Sequence, residues 1–177
     1  TVGGGSVTDA GKIVLICLKH NIITAPQFDD YRVRVDDVGA MVIPEFTGPD
    51  VRAICVPTPL SGGEFNPLSG ATDEAIKMKQ GYTQREMVPV CVVLDPAITV
   101  HTPEWLWLST GIRAVDHAVE DLCSISPSGH VDGTAAHALK LLSRGLPRCK
   151  ADGRDLEARL DCQTGAWLAM AVGAAGV

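Results

Sequence analysis

The sequence has no run or stripe of Lys and Arg. Its 15 basic residues against 21 acidic ones give a formal net charge of −6, which excludes a nucleic-acid backbone as the expected partner. It also lacks any apolar stretch of the roughly 18 residues that a membrane span requires. The first residues do not show the charged and apolar regions of a secretory signal, so the expectation is a cytosolic protein with no membrane partner. No CxxC pair occurs: Cys17, Cys55, Cys91, Cys123, Cys149 and Cys162 are scattered. That spacing points to neither a zinc knuckle nor a disulfide framework, and it leaves six core thiols as the expectation. What is present is apolar material, 46% of 177 residues, enough for one ordinary core or two small ones. The chain opens without Met on what reads as the end of a strand. It closes in the apolar run AWLAMAVGAAGV, Ala166 to Val177. Termini are normally polar and frayed, so a fragment of a larger protein is expected.

Ser6 to His20 has the pattern of a helix, with Ser6 as cap, Asp9 completing a capping-box-like pair, and Val7, Ile13, Val14, Cys17 and Leu18 as apolar positions. The three glycines before it then form a strand-to-helix turn. Asn21 to Asp50 reads as an exposed hairpin or long loop. Arg52 to Thr58 suits a short apolar strand broken at Pro57 and Pro59, and Met87 to Pro96 a second, buried one. KMKQGY between them alternates like a hairpin strand. From Thr102 and Pro103 onward the texture is helical, with Pro103 expected at the first helical position. Trp105, Leu108, Ile112, Val115, Val119 and Leu122 make an apolar stripe on a helix ending near Cys123. Two further helices are expected over Val131 to Ser143 and Arg154 to Val172, separated by Gly145, Pro147 and Gly153. The expected architecture is an α/β part over 1–102 followed by an all-α part over 103–177.

Two segments offer chemistry. GGGSVTD (Gly3 to Asp9) can bring backbone N–H groups to a phosphate at the positive end of a helix, or it can be only a tight turn, since it is not GxGxxG. Asp9 helps the helix but repels a phosphate beside it. On the long helix, Arg113, His117 and Glu120 share one face. That face is either a solvated surface or the wall of a cleft in which His117 handles a proton or a metal. His101, His130 and His137 have no ligand spacing with it. Ser61 is not in GxSxG, so a hydrolase triad is discarded.

Taken together, VGGGSVTDAGK (Val2 to Lys12), PTPLSGGEFNPLSGATDE (Pro57 to Glu74), the Lys79 region, VVLDPAITVHTP (Val92 to Pro103) and STGIRAVDHAVE (Ser109 to Glu120) resemble the iron-containing alcohol dehydrogenase superfamily. The resemblance is greater to its maleylacetate reductase-like branch, and it spans most of the chain. It implies a partial Rossmann-like nucleotide-binding domain, then a partial helical domain, with hydride passing between a nicotinamide and a carbonyl carbon in the cleft. By resemblance, Gly4, Gly5 and Ser6 line the cofactor pyrophosphate with Asp9 in the same pocket. Thr58, Ser61 and Asn66 fall in a second cofactor loop, and Lys79 reaches the ribose or phosphate.

One departure stands out. Where the family carries a metal-binding Asp four residues before a His, this chain has Arg113 before His117. A guanidinium has no lone pair for a cation and repels it. Asp116 is turned about 100° around the helix and cannot substitute. The resemblance puts two later metal histidines beyond Val177, so only His117 of the implied ligands is visible, and Arg113 in place of the Asp makes iron or zinc the expectation that is not favoured. The resemblance therefore implies an NAD- or NADP-dependent reductase of a small keto acid or related carbonyl compound, independent of metal. His117 would transfer a proton or polarise the carbonyl, and Arg113 would pair the substrate carboxylate. A metal-dependent alcohol dehydrogenase and an inactive nucleotide-binding remnant stay open as alternatives, as does a homodimer.

Overall fold

A strand, a turn and a helix open the chain, as the glycines anticipate. The computed structural model describes residues 1–125 and 128–170. Strand β1 (Val2–Gly3) ends at Gly3, whose φ of +148° lies in backbone space that L side chains rarely enter. Helix α1 (Gly5–His20) follows at once, with Gly4 as its N-cap and no side-chain cap. The expected Ser6–Asp9 capping box does not form. The turn at Gly3 already puts extended Gly4 at the cap position, which leaves Ser6 inside the first helical turn.

The main sheet is parallel, in the order β1, β4 (Ile54–Pro57), β7 (Cys91–Val92). Val2 lies opposite Val56, and Ile54 opposite Cys91. Two antiparallel hairpins accompany it: β2 (Arg34–Val35) with β3 (Met41–Val42), and β5 (Leu68–Asp73) with β6 (Met78–Thr83). The hairpin expected between Asn21 and Asp50 and the KMKQGY strand are thus present. The buried strand expected over Met87 to Pro96 is not. Only Cys91 and Val92 pair, at the sheet edge, and Val90 and Val93 are exposed.

Helix α1 buries Thr8, Lys12, Ile13, Leu15 and Ile16, whereas Val7, Val14 and Leu18 are exposed. Apolarity alone pointed to those three. The packing partners, β5 and the 3-10 turn Gly63–Phe65, instead select the line through Thr8, Lys12 and Ile16. Ile13 and Ile16 pack with Ile22, Tyr82 and Met87 in the core of this part.

The helical part comprises α2 (Pro96–Thr99), α3 (Glu104–Leu122), α4 (Gly129–Ala151) and α5 (Leu156–Leu168). Pro103 is the N-cap of α3, one residue before the position expected for it. The buried stripe of α3 is Trp107, Gly111, Ala114 and Ala118; of the stripe that periodicity suggested, only Leu108 and Val115 are partly buried against the same core. Trp105, Ile112, Val119 and Leu122 are exposed. Small residues win the buried face because they admit Leu142 and Leu146 of α4 between the helix axes, which larger side chains would exclude. Helix α4 does not stop at Ser143. An interior proline costs about 3 kcal/mol, but the buried face Leu142, Leu146, Cys149 continues across Pro147 and offsets it. The part of the last expected helix beyond residue 170 lies outside the described residues.

The loop after β4 joins the two parts. The Thr102 hydroxyl donates to the Thr58 carbonyl at 2.9 Å, and the Leu60 N–H donates to Thr110 Oγ1 at 3.1 Å. Leu60 itself is packed into the helical core beside Trp107, Ala114 and Leu146.

Candidate functional site

The glycine turn and the loop after β4 face one another. A Cβ on Gly4 would lie 3.4 Å from Pro59 Cγ, and one on Gly5 3.2 Å from Ser61 Oγ. The loop therefore covers the N-terminus of α1 closely enough that side chains at those positions would press on it. The Gly4 carbonyl accepts from the N–H groups of Val7 and Thr8, both at 3.0 Å. The first turn of α1 carries no acidic residue and no side-chain cap, so its partial positive charge is not cancelled locally.

Asp9, which threatened to repel a phosphate, has a counter-ion. Its carboxylate lies 3.5 Å from Lys79 Nζ on β6. Asp9, Asn66 and Lys79 border one pocket of about 410 Å³ together with Gly63 and Ser69. The Asn66 side chain accepts from the Leu68 N–H at 2.9 Å and so shapes its own turn. Thr58 and Ser61 lie on the covering loop, half-buried. The structure thus gathers the eight residues proposed for a cofactor around two adjoining features, the turn at Gly4 to Ser6 and the pocket beside Asp9.

Sequence reasoning missed the group that organises this region. Lys12, with no exposed surface, donates through Nζ to the carbonyls of Gly63, Asn66 and Leu68, the last two at 2.7 and 2.8 Å. One ammonium thereby pins both sides of the pocket-forming segment. Burial lowers the Lys12 pKa, with Asp9, Cys55 and Glu64 opposing. Glu64, also buried, sits on the segment that Lys12 holds. Burial raises its pKa above the usual carboxylate range, and Lys12 counteracts this only in part. No local pattern pointed to it: Lys12 is buried because it lies one turn after Thr8 on the line that packs against β5.

A pH dependence follows. Because folding raises the Glu64 pKa, the native state holds more protons than the unfolded state between the unfolded value, 4.5, and the raised one. Stability contributed by Glu64 is full below 4.5 and is lost as pH rises through the raised value. Glu64→Gln is therefore expected to be more stable than the parent at pH 7, with the difference shrinking as pH falls towards 4.5. Urea melts at several pH values check this; a difference independent of pH would rule it out.

Arg113 and His117 pair along their own helix. Arg113 forms an ion pair with Asp116 and lies 3.7 Å from Glu120, and His117 Nδ1 lies 3.6 Å from the same Glu120 carboxylate. Arg113 is half-exposed, whereas the His117 side chain is only 24% exposed. His117 therefore borders the buried stripe, beside Ala114 and Ala118, although the sequence placed the face it shares with Arg113 and Glu120 nearly opposite the apolar stripe. Burial, then the nearby guanidinium, lowers the imidazole pKa below its usual range, with Glu120 and Asp121 opposing. Seven residues separate His117 from Thr110, so the ring lies on the side of α3 that Thr110 turns towards the loop after β4. Among the described residues no group of three or more His, Cys, Asp or Glu side chains is placed to hold a metal ion. His101, His130 and His137 are exposed. Of the six cysteines, Cys55, Cys149 and Cys162 are buried and Cys17 partly so. Cys91, on the edge strand, and Cys123, at the end of α3, are exposed rather than in the core.

Comparison with known proteins gives a consistent result. Residues 1–96 match the family model for iron-containing alcohol dehydrogenase, and residues 107–177 match that for the C-terminal part of the same family. The chain is 39% identical over 125 residues to dehydrogenase ALT3 of Alternaria alternata, covering 69% of the chain and 30% of that protein. It is 36% identical over 129 residues to maleylacetate reductase of Sphingobium indicum, covering 72% and 36%. The chain thus spans about a third of the length of these relatives. Among solved structures, sulfoacetaldehyde reductase from Bifidobacterium kashiwanohense in complex with NAD+ superposes with a TM-score of 0.77 at 26% identity, over 95% of this chain and 42% of that one.

Proposed function

The chain belongs to the iron-containing alcohol dehydrogenase family, and from that premise we propose that it carries the cofactor site and part of the catalytic wall of a metal-independent, NAD(P)H-dependent reductase of small keto acids or related carbonyl compounds. The α/β part, 1–102, is the nucleotide-binding domain in this reading, and the helical part, 103–177, closes the cleft. The residues fit a nicotinamide dinucleotide. The first turn of α1 offers N–H groups with no side-chain cap, and Gly4 and Gly5 leave the approach free of Cβ atoms. When bound, that cofactor supplies the hydride. Gly4, Gly5 and Ser6 would hold its pyrophosphate, with Thr58, Ser61 and Asn66 on the covering side. Lys79 neutralises Asp9 and offers a cation to the ribose or phosphate.

Among the described residues the donor set does not fit a divalent metal. The single observation that carries the metal-independent reading is the guanidinium of Arg113 one helical turn before His117, held in place by Asp116 and Glu120. A guanidinium there pairs a substrate carboxylate in a bidentate, charge-assisted manner and draws electron density from the adjoining carbonyl. His117, whose charged form is disfavoured by burial and by Arg113, exchanges a proton with the carbonyl oxygen.

Oxidation of NADH and NADPH by a panel of keto acids and aldehydes, before and after exhaustive chelation, tests this in the intact protein. Activity is expected to survive chelation and to gain nothing from iron or zinc. Arg113→Ala is expected to lose about 1.5–3 kcal/mol of transition-state stabilisation, roughly ten- to a hundredfold in kcat/KM. Activity lost on chelation and restored by a divalent ion would establish the metal-dependent alcohol dehydrogenase instead. Cofactor binding without turnover of any substrate would mark a nucleotide-binding remnant.

A further inference from the structure

Away from that site, two cysteines from neighbouring helices meet. Cys149 Sγ of α4 and Cys162 Sγ of α5 are 4.0 Å apart, and both residues are buried, at 3% and 0% exposure. The approach is built into the helix pair. A Cβ on Gly145 would lie 2.6 Å from Cys162 Sγ and 2.9 Å from the Ala158 carbonyl oxygen, so the absent side chain is what lets α4 and α5 close on each other here. Cys149 also borders a cavity of about 420 Å³, shared with Thr102, Trp107 and Arg159. Arg159 is buried, stacks over Trp107 at 4.5 Å from the ring centroid, and donates to the Gly153 and Thr99 carbonyls at 2.6 and 2.8 Å. The indole N–H of Trp107 is buried without a hydrogen-bond partner.

We propose that Cys149 and Cys162 form a dithiol that small hydroperoxides oxidise to an intramolecular disulfide, with Cys149 as the attacking and Cys162 as the resolving thiol. The roles follow from access: Cys149 faces the cavity, whereas Cys162 lies behind it. The hydrogen bond with the Cys162 thiol holds the Cys149 pKa below the usual thiol range against the effect of burial, assisted by the Arg159 cation. The Cys162 pKa is raised, chiefly by that same hydrogen bond, so Cys162 keeps the proton that the second step needs. In the first step the Cys149 sulfur attacks the peroxide. An S–O bond forms, the O–O bond breaks, and the departing alkoxide or hydroxide leaves as alcohol or water with the Cys149 proton. In the second step the Cys162 sulfur attacks the sulfenic sulfur. The S–S bond forms as the S–O bond breaks, and the Cys162 proton leaves with the hydroxyl as water. The two thiols lose two electrons in all, and the peroxide gains them. A disulfide needs its sulfurs about 2 Å apart. Closing that gap draws on side-chain rotation in two helices already in close contact.

The intact protein, treated with equimolar hydrogen peroxide under native conditions and alkylated, is to be mapped by peptide mass spectrometry. The expected product links Cys149 to Cys162, reverts with dithiothreitol, and appears with concerted loss of two thiols. Cys162→Ala should accumulate sulfenic acid at Cys149, trapped by dimedone, while Cys149→Ala should leave Cys162 unmodified. The parent protein alone suffices to decide if either variant folds poorly. Oxidation of the exposed Cys91 and Cys123 with Cys149 and Cys162 still reduced would overturn the proposal, as would over-oxidation of Cys149 without a disulfide.

Discussion

Replacing Lys12 with Met is expected to lower the unfolding free energy by on the order of 3–5 kcal/mol, because three carbonyls lose their shared charged donor at about 1–3 kcal/mol each, offset in part by the burial cost of the ammonium. Met matches the length of the Lys stem and keeps its apolar packing against β5, so the loss comes from the ammonium. Without it the carbonyls of Gly63, Asn66 and Leu68 lose a shared charged donor. Each buried group left unpaired costs about 1–3 kcal/mol. Those three carbonyls lie on the segment that shapes the pocket beside Asp9, so the damage is not confined to stability. In the intact protein the affinity for a nicotinamide cofactor should fall as well, even though Lys12 is not placed against the cofactor. Equilibrium denaturation and cofactor titration on the same preparation measure both effects. An unchanged melt would mean that water takes over the three carbonyls and that the pocket does not depend on this anchor.

How far the sequence could be read is clearest from α1 and α3. In both, the helix and its approximate limits were legible from caps, glycines and apolar spacing, because those signals act within one turn of the chain. The buried faces were not. Periodicity weights large apolar side chains, so it favoured Val7, Val14 and Leu18 on α1 and Trp105, Ile112 and Val119 on α3, all of which are exposed. The true faces are set by what packs against them: a hairpin and the turn before it whose carbonyls need Lys12, and an α4 whose leucines fill the gaps at Gly111 and Ala114 and whose alanines meet Ala118. These are non-local requirements that the chain does not encode within any one window. The same holds for Pro147, a stop signal locally and an interior helical residue once Leu146 and Cys149 are buried on either side of it. Resemblance, by contrast, singled out VGGGSVTD and PTPLSGG by position rather than by packing. The structure puts those two stretches face to face. What no local pattern contained was the ammonium of Lys12 behind them or the pairing of Asp9 with Lys79.

Gly5→Val is expected to weaken cofactor binding more than any other substitution in the turn. A Cβ at Gly5 would stand 3.2 Å from Ser61 Oγ, already tighter than an ordinary contact, and the two γ-methyls of Val extend from it into the space between the turn and its covering loop. Ser61 can yield by a few tenths of an ångström to a lone methyl, so Gly5→Ala should be tolerated with a small loss. The branched side chain has no such remedy. It would hold a phosphate away from the N–H groups at the start of α1, and each such charge-assisted hydrogen bond contributes about 1.5–3 kcal/mol. Losing one predicts affinity for NADH or NADPH lower by roughly ten- to a hundredfold, with the helix itself intact by circular dichroism. Titration of the parent, Gly5→Ala and Gly5→Val proteins with both nicotinamides distinguishes this from a general loss of fold. The graded order parent, Ala, Val is the signature of steric exclusion at the turn. Equal affinity in all three would remove Gly5 from the cofactor site and leave the glycines as the tight turn that their sequence also allowed.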